Sequence, residues 1–379
     1  MNILFVKLMI YVIICGYNSE AIINGTRANK RYMIYLLSPA QEHQPAPNDW
    51  LCGGAIITSK HIISSAACIV YNWKLAWVIA GYNKYVDYKN MGIDQCTKRY
   101  KKKLQKVYVE VGYPSYYHNK GKYVEQWRFH NIAIGEVETP YNFSDVSYLK
   151  YCTYIPNAIK MSFRGESYAP GVDAVVFGWG SSKYYRPDLY SVNLNQPYLM
   201  GTSVLLMDRK ACKEIEKGMK FTSIDYIRRH VLCTLGHGNV DVNGNYVGYQ
   251  AGRDNLNKSD VPDYKRIDKL FKDPKYMNNS KPNGFCQNDQ GGPLVTWMGG
   301  VEYLIGVASA FIVNEDMRCV GPFIYTSVGL TAKYVNCSLS ASSRRSNLGV
   351  CDLSTVLERD DDPISQTHEP YTTEKKQDD

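Results

Sequence analysis

The sequence has no apolar run approaching the ~20 residues that cross a bilayer. The nearest, LFVKLMIYVIIC at residues 4–15, is short and interrupted by Lys7, so no membrane-spanning helix is expected. C-x-x-C pairs and H-x-x-x-H spacings are also missing. That removes the usual signatures of a metal site, and no cofactor or metal is expected. No repeat period runs along the chain. Residues 341–379 have few large apolar side chains among their Ser, Thr, Asp and Glu. Such a stretch cannot bury enough surface to offset the entropy of ordering, so an acidic disordered tail is expected there.

What is present points to an extracellular protein. The N-terminal apolar stretch is followed by GYNSEA, in which Ser19 and Ala21 are small residues suited to signal peptidase. Residues 1–21 are read as a signal peptide and the chain as secreted. Of eleven cysteines, Cys15 leaves with that segment and ten remain, an even number in an oxidising compartment, so up to five disulfides are expected. The acceptor triplet N-x-S/T occurs at Asn24, Asn142, Asn257, Asn278 and Asn336, consistent with a glycosylated surface. Charge is divided along the chain. Residues 341–379 hold nine acidic and five basic side chains, so the net +8 of the whole chain leaves +12 on residues 1–340. A basic body of this size attracts polyanions. The short runs AIIT, HIIS, VYVEV, AVVFGWG and YLIGVAS, set between Gly, Asn and Pro, read as strands of an all-β fold.

Seven stretches, in order, carry a family resemblance. LCGGAIITSKHIISSAAC (51–68) resembles the segment of trypsin-like serine proteases that opens C-G-G-S-L-I and ends A-A-H-C. FHNIAIGEVETP (129–140) resembles the strand bearing D-I-A-L-I-x-L, and FGWG (177–180) resembles S-G-W-G. FCQNDQGGPLV (285–295) resembles C-Q-G-D-S-G-G-P-L-V. GVASAF (306–311), GPFIYTSV (321–328) and the N-terminal IINGT (22–26) resemble three further landmarks of that family. The resemblance covers about residues 22–335. It implies two antiparallel six-stranded β-barrels of the chymotrypsin-like kind with a C-terminal segment. The homology domain is taken as residues 22–340, with a long insertion at about 237–284. By position the resemblance also implies the bridges Cys52–Cys68, Cys212–Cys233 and Cys286–Cys319. Cys96, Cys152, Cys337 and Cys351 stay unassigned, because the usual partner position of Cys152 is Gly329.

Triad catalysis needs an attacking hydroxyl, an imidazole to take its proton and a carboxylate to hold the imidazole. The resemblance puts Ala67 at the imidazole position, Asn131 at the carboxylate position and Gln290 at the hydroxyl position. It therefore implies a family member without peptidase activity. Neighbouring Ser64, Ser65, His61 and His130 are read as structural rather than as replacements. The backbone N–H groups of Asn288 and Gln290 would form a relic oxyanion hole, asparagine being the residue after glycine that best tolerates the unusual φ required. The specificity pocket would have its floor at Gly284 and be filled by Phe311 and Phe323. Ile22 and Asp289 hold the positions of the family's activating pair, an N-terminal ammonium on a buried carboxylate, but no basic residue precedes Ile22. Signal-peptide removal is expected to expose it.

Two features fall outside the family pattern. The insertion contains DYKRIDKLFKD (263–273), whose Tyr264, Ile267, Leu270 and Phe271 recur at helical spacing; it could cover the cleft, meet a partner or remain disordered. The run TKRYKKKLQK carries Lys98, Arg99, Lys101, Lys102, Lys103 and Lys106, a candidate polyanion site or a solvated loop. Together these readings give a secreted binding or regulatory protein. Its expected partner is an extracellular protease, inhibitor or substrate, or a sulfated polyanion, and secretion disfavours nucleic acid. The alternatives are an active serine-type endopeptidase with an unusual site, and a structural coat component drawing on the 32 tyrosines.

Overall fold

The computed structural model describes residues 22–39, 50–70, 73–110, 131–182, 184–185, 194–208, 212, 230–247, 283–343 and 354–358. In the first half of the chain the strands are β1 (Thr26–Arg27), β2 (Met33–Ser38), β3 (Trp50–Ile56), β4 (His61–Ser64), β5 (Trp77–Ala80), β6 (Lys102–Glu110) and β7 (Ala133–Val137). In the second half they are β8 (Lys160–Met161), β9 (Asp173–Gly178), β10 (Met200–Leu206), β11 (Val231–Leu235), β12 (Pro293–Met298), β13 (Val301–Val313), β14 (Cys319–Ser327) and β15 (Ser354–Glu358). Among the described residues the α-helices are α1 (Ala66–Ile69), α2 (Gln95–Tyr100), α3 (Tyr148–Tyr151) and α4 (Ala332–Ser343).

Two closed barrels result, as expected. In the first, β2 pairs β3, β3 pairs β4, β4 pairs β7, β7 pairs β6, β6 pairs β5 and β5 returns to β2. In the second the circuit is β9, β10, β11, β14, β13, β12 and back to β9. Closure gives each barrel strand a partner on both sides, which suits a chain built of short β-branched runs. Strands such as MIYLLS and HIIS are buried along their whole length because one face fills a barrel and the other meets its surroundings in the fold. One apolar cluster fills the first barrel around Ile34, Ile62 and Leu104. A second fills the other barrel around Val176, Ile305 and Tyr325. A third, with Tyr35, Phe177, Trp179 and Val295, draws on strands of both. There the fully buried Trp179 of FGWG packs edge-on against Tyr35 at 5.0 Å and donates its indole N–H to the Asn83 carbonyl at 2.8 Å.

The chain ends cross over. β1 pairs β10 of the second barrel, whereas α4 and β15 lie on the first. Tyr334 of α4 donates its hydroxyl to the Tyr108 carbonyl of β6 at 2.7 Å. β15 runs antiparallel to β6 with Ser354 opposite Glu110 and Glu358 opposite Lys106. This corrects the expected boundary at residue 340 and part of the expected disordered tail. Helix α4 continues to Ser343, and residues 354–358 are a strand. They order because β6 pairs β5 only at Lys102 and Lys103, which leaves backbone groups beyond that point for another strand.

Four disulfides staple the described residues. Cys52–Cys68, Cys212–Cys233 and Cys286–Cys319 are those the resemblance implied. Cys96–Cys152, left open above, ties α2 to the residue after α3. Cys337 is disulfide-bonded as well. Of the glycosylation candidates, Asn142 and Asn336 are exposed, while Asn24 is half-buried with its amide donated to Asn283 at 3.1 Å. Asn257, Asn278 and the 263–273 stretch lie outside the described residues. Among the described residues no helix is long and apolar enough to cross a membrane.

The barrels touch most closely where Gly53 meets Gly292. A Cβ on Gly53 would stand 2.8 Å from the Gly292 backbone, a separation that neither strand can relieve by a side-chain rotation. We expect Gly53→Ala to cost about 1–3 kcal/mol and to lower Tm by several degrees in a thermal melt. Gly92→Ala, where a Cβ meets nothing within 4 Å, should leave Tm unchanged.

Candidate functional site

The site lies on the seam between the barrels, assembled from the β4–α1 corner, the start of the β7 segment and the Cys286–Pro293 turn. Ser65 sits at the N-cap of α1, yet its side chain makes no capping bond. Its hydroxyl instead donates to Asn131 Oδ1 at 2.6 Å, and the Ala67 N–H donates to the same oxygen at 2.9 Å. Asn131 Nδ2 donates to Ser309 Oγ at 2.8 Å, and the Asn131 carbonyl accepts from Thr326 Oγ1 at 3.2 Å. The fully buried carboxamide thus joins two groups of the first barrel to the second. Gln290 closes the constellation. Its carbonyl accepts from Gly53 N–H at 2.8 Å and lies 3.6 Å from the Cys68 sulfur, next to Ala67. Ala67, Asn131 and Gln290 thus lie in one stretch of the seam.

The neighbours read as structural hold structural bonds. Ser64 donates to the Gly53 carbonyl at 2.7 Å. His61, buried at the start of β4, has Nδ1 2.7 Å from Thr58 Oγ1. Burial lowers its pKa, with Glu136 acting in the opposite direction. His130 lies outside the described residues.

The oxyanion hole differs from its expected form. Asn288 does adopt the left-handed conformation, at φ 74°. However, its N–H donates at 3.0 Å to Oε1 of Gln290, two residues on. The Gln290 carboxamide thus turns back on its own turn and satisfies the Asn288 N–H. Asn288 is held further by its amide on Asn195 Oδ1 at 2.8 Å. The two residues after Gln290 have no room for a side chain. Cβ atoms on Gly291 and Gly292 would meet Ser64 Oγ at 2.2 Å and the Phe177 carbonyl at 2.4 Å.

Aromatic rings cluster around Phe285, next to Gly284. Phe323 is fully buried, and a Cβ on Gly284 would fall 2.2 Å from its ring. Phe285, adjacent to the floor residue, packs against Phe323 at 5.6 Å, Phe311 at 5.8 Å and Tyr325 at 5.1 Å. Phe311 is only half-buried and also meets Tyr185 at 6.1 Å. Sequence reasoning missed Phe285 and Tyr325 as part of this cluster, although both stand inside quoted motifs. It missed Ser309 in the same way; the serine of GVASAF was the available signal.

Ile22 is fully buried beside Phe285, and Ile23 N–H donates to the Gly284 carbonyl at 3.0 Å. The Ile22 nitrogen is in peptide linkage to Ala21, so the expected ammonium–carboxylate pair is not made in the uncut chain. Asp289 instead accepts the N–H groups of Gly180 at 2.7 Å and Cys286 at 3.1 Å. Desolvation pushes its carboxyl up to about 7, against the opposing pull of those two donors.

Two predictions come from this geometry. Asn131→Ala leaves Ser65, Ser309 and the Ala67 N–H without their buried partner and should cost on the order of 2–4 kcal/mol in urea unfolding. The second concerns pH. The Asp289 pKa in the folded chain lies above the unfolded value of ~3.9, so the folded state binds more protons between the two. Its contribution to stability is complete below ~4 and falls as pH rises through about 7. From pH 5 to 8 the uncut chain should lose on the order of 2–3 kcal/mol more than Asp289→Asn. A chain beginning at Ile22, with an ammonium beside the carboxylate, should lose less.

No protein-family model matches the chain. A curated protein named Venom protease, from Bombus pensylvanicus, is 24% identical over 285 residues, covering 74% of this chain and 82% of that protein. This overturns the expectation that the chain is not an enzyme: the protein it resembles across most of its length is named a protease, and substitutions at three positions do not place the chain outside that class. By its two closed barrels the chain has a chymotrypsin-like fold, and in sequence it is similar to a venom protease.

Proposed function

We propose that the chain is a secreted, trypsin-like protease homologue that acts as a binding and regulatory protein outside the cell. Secretion is supported by the leader-like residues 1–21, the disulfides and the relative's name. The observation that carries the binding role is the bond from Asn288 N–H to Gln290 Oε1. With it, and with Phe323 on Gly284, the chain's own side chains hold the places where a substrate carbonyl and side chain would go. Recognition then falls to surface outside the cleft.

The basic run offers such a surface. Lys98 and Arg99 are exposed on the last turn of α2, which Asp94 caps by accepting the Thr97 N–H at 3.0 Å. Lys101 and Lys103 place their ammonium groups 4.6 and 3.8 Å from the centre of the Trp77 ring. Lys102 lies over Tyr141 and donates to Thr139 at 2.6 Å, and burial lowers its pKa. Their stems are thereby held in one place while the cations stay partly open to solvent. A sulfated polyanion or an acidic segment of an extracellular protein fits this chemistry. We expect salt-dependent retention on heparin, weakened in the Lys101→Gln/Lys102→Gln/Lys103→Gln variant and with a flatter salt dependence, since exposed charges are screened over ~8 Å at physiological ionic strength.

The relative's name favours a second reading, serine-type endopeptidase activity. Ser64, Ser65 and Ser309 are buried and hydrogen-bonded at the seam, so that reading needs a nucleophile elsewhere. Fluorophosphonate labelling of the purified protein, with the adduct mapped to a serine by mass spectrometry, would establish it.

A further inference from the structure

We propose that the C-terminal segment is a built-in competitor for the basic surface: β15 docks on β6 and delivers the acidic residues that follow it to Lys101–Lys106. The proposal rests on the polyanion reading above and adds its regulation.

The docking is visible in the fold. Over Lys106–Val109, β6 pairs β7 on one edge. On its other edge it pairs β5 at Lys102 and Lys103 and β15 at Lys106–Glu110. β15 therefore occupies the part of that edge from which β5 has diverged. The segment is approached from α4, which is itself fixed on β6 by the Tyr334–Tyr108 bond. The antiparallel register decides where the chain goes next. It runs from Ser354 at Glu110 towards Glu358 at Lys106, and so leaves β15 heading for the Lys101–Lys103 end of β6. At that end β5 holds the edge of β6.

The next residues are Arg359, Asp360, Asp361 and Asp362. Lys102 and Lys103 are three to four residues along β6 from Lys106, or ~10–13 Å. An extended chain of the same number of residues covers that distance. Residues 359–379 carry seven acidic and three basic side chains. Their sign is opposite to that of the run they approach, and the first three carboxylates come within four residues of the last described position. A strand that adds to an open edge supplies affinity through its backbone. Tethering raises the effective concentration of the attached charges well above that of a free anion. An external polyanion must displace them, and loss or neutralisation of the tail strengthens its binding.

The test compares the full chain with its Asp360→Asn/Asp361→Asn/Asp362→Asn variant on immobilised heparin, with amide hydrogen exchange over Lys106–Glu110 measured in both. The variant should elute at higher salt, with about tenfold tighter binding at low ionic strength that converges at high salt. The β6 amides should exchange faster in the variant than in the wild type at low salt. Retention of both proteins at the same salt overturns the competitor role and leaves the polyanion reading standing. Passage of both through the column, the unmasked variant included, overturns the polyanion reading, and the competitor role with it. Passage of the wild type alone, with retention of the variant, supports both.

Discussion

The carboxamide of Asn131 is the group on which the seam between the barrels depends. It accepts from Ser65 and the Ala67 N–H in the first barrel and donates to Ser309 of the second. A carboxylate there could accept but not donate, and it would carry a charge into a fully buried position. With a methyl group at residue 67 there is no imidazolium to balance that charge. The neutral amide at 131 and the alanine at 67 thus leave no buried charge at this point of the seam. A buried charge left without a partner is far costlier than a satisfied amide.

The same logic runs through the Cys286–Pro293 turn. Asn288 takes the left-handed conformation that presents its N–H towards the cleft, and Gln290 supplies an oxygen to meet it. Below, Phe323 lies flat against the space that a glycine at 284 leaves open. Buried polar groups find partners and buried space finds apolar atoms, whether or not a substrate supplies them. In this chain both are supplied from within.

The termini extend the arrangement. Ile22 and Ile23 enter the second barrel's core with Phe285, and Ile23 bonds the Gly284 carbonyl. The C-terminal helix and strand return to the first, against the strand that carries the basic run. Backbone pairing brings the C-terminal strand to the edge of the strand that carries part of the basic run.

Much of this was legible in the residues. Short β-branched runs between turn residues marked an all-β fold, and the family resemblance implied that it forms two barrels. Cys52 and Cys68, with no gap between two matching strands, place Ala67, and the turn FCQNDQGGP places Gln290 and the positive φ of Asn288. Three disulfides followed from position. The Cys96–Cys152 bridge did not, since the approach of α2 to α3 is set by packing between distant parts of the chain. Nor did the ordering of Ser354–Glu358, because composition reports how little a segment can bury alone and not that an open strand edge awaits it. The direction of the Gln290 side chain, the ring stack around Phe285 and the pairing of Ser309 with Asn131 were likewise decided only in three dimensions. Sequence determines which groups are available and which local conformations they tolerate. Which partner satisfies each buried donor, acceptor and void is settled only when both barrels close on the same space.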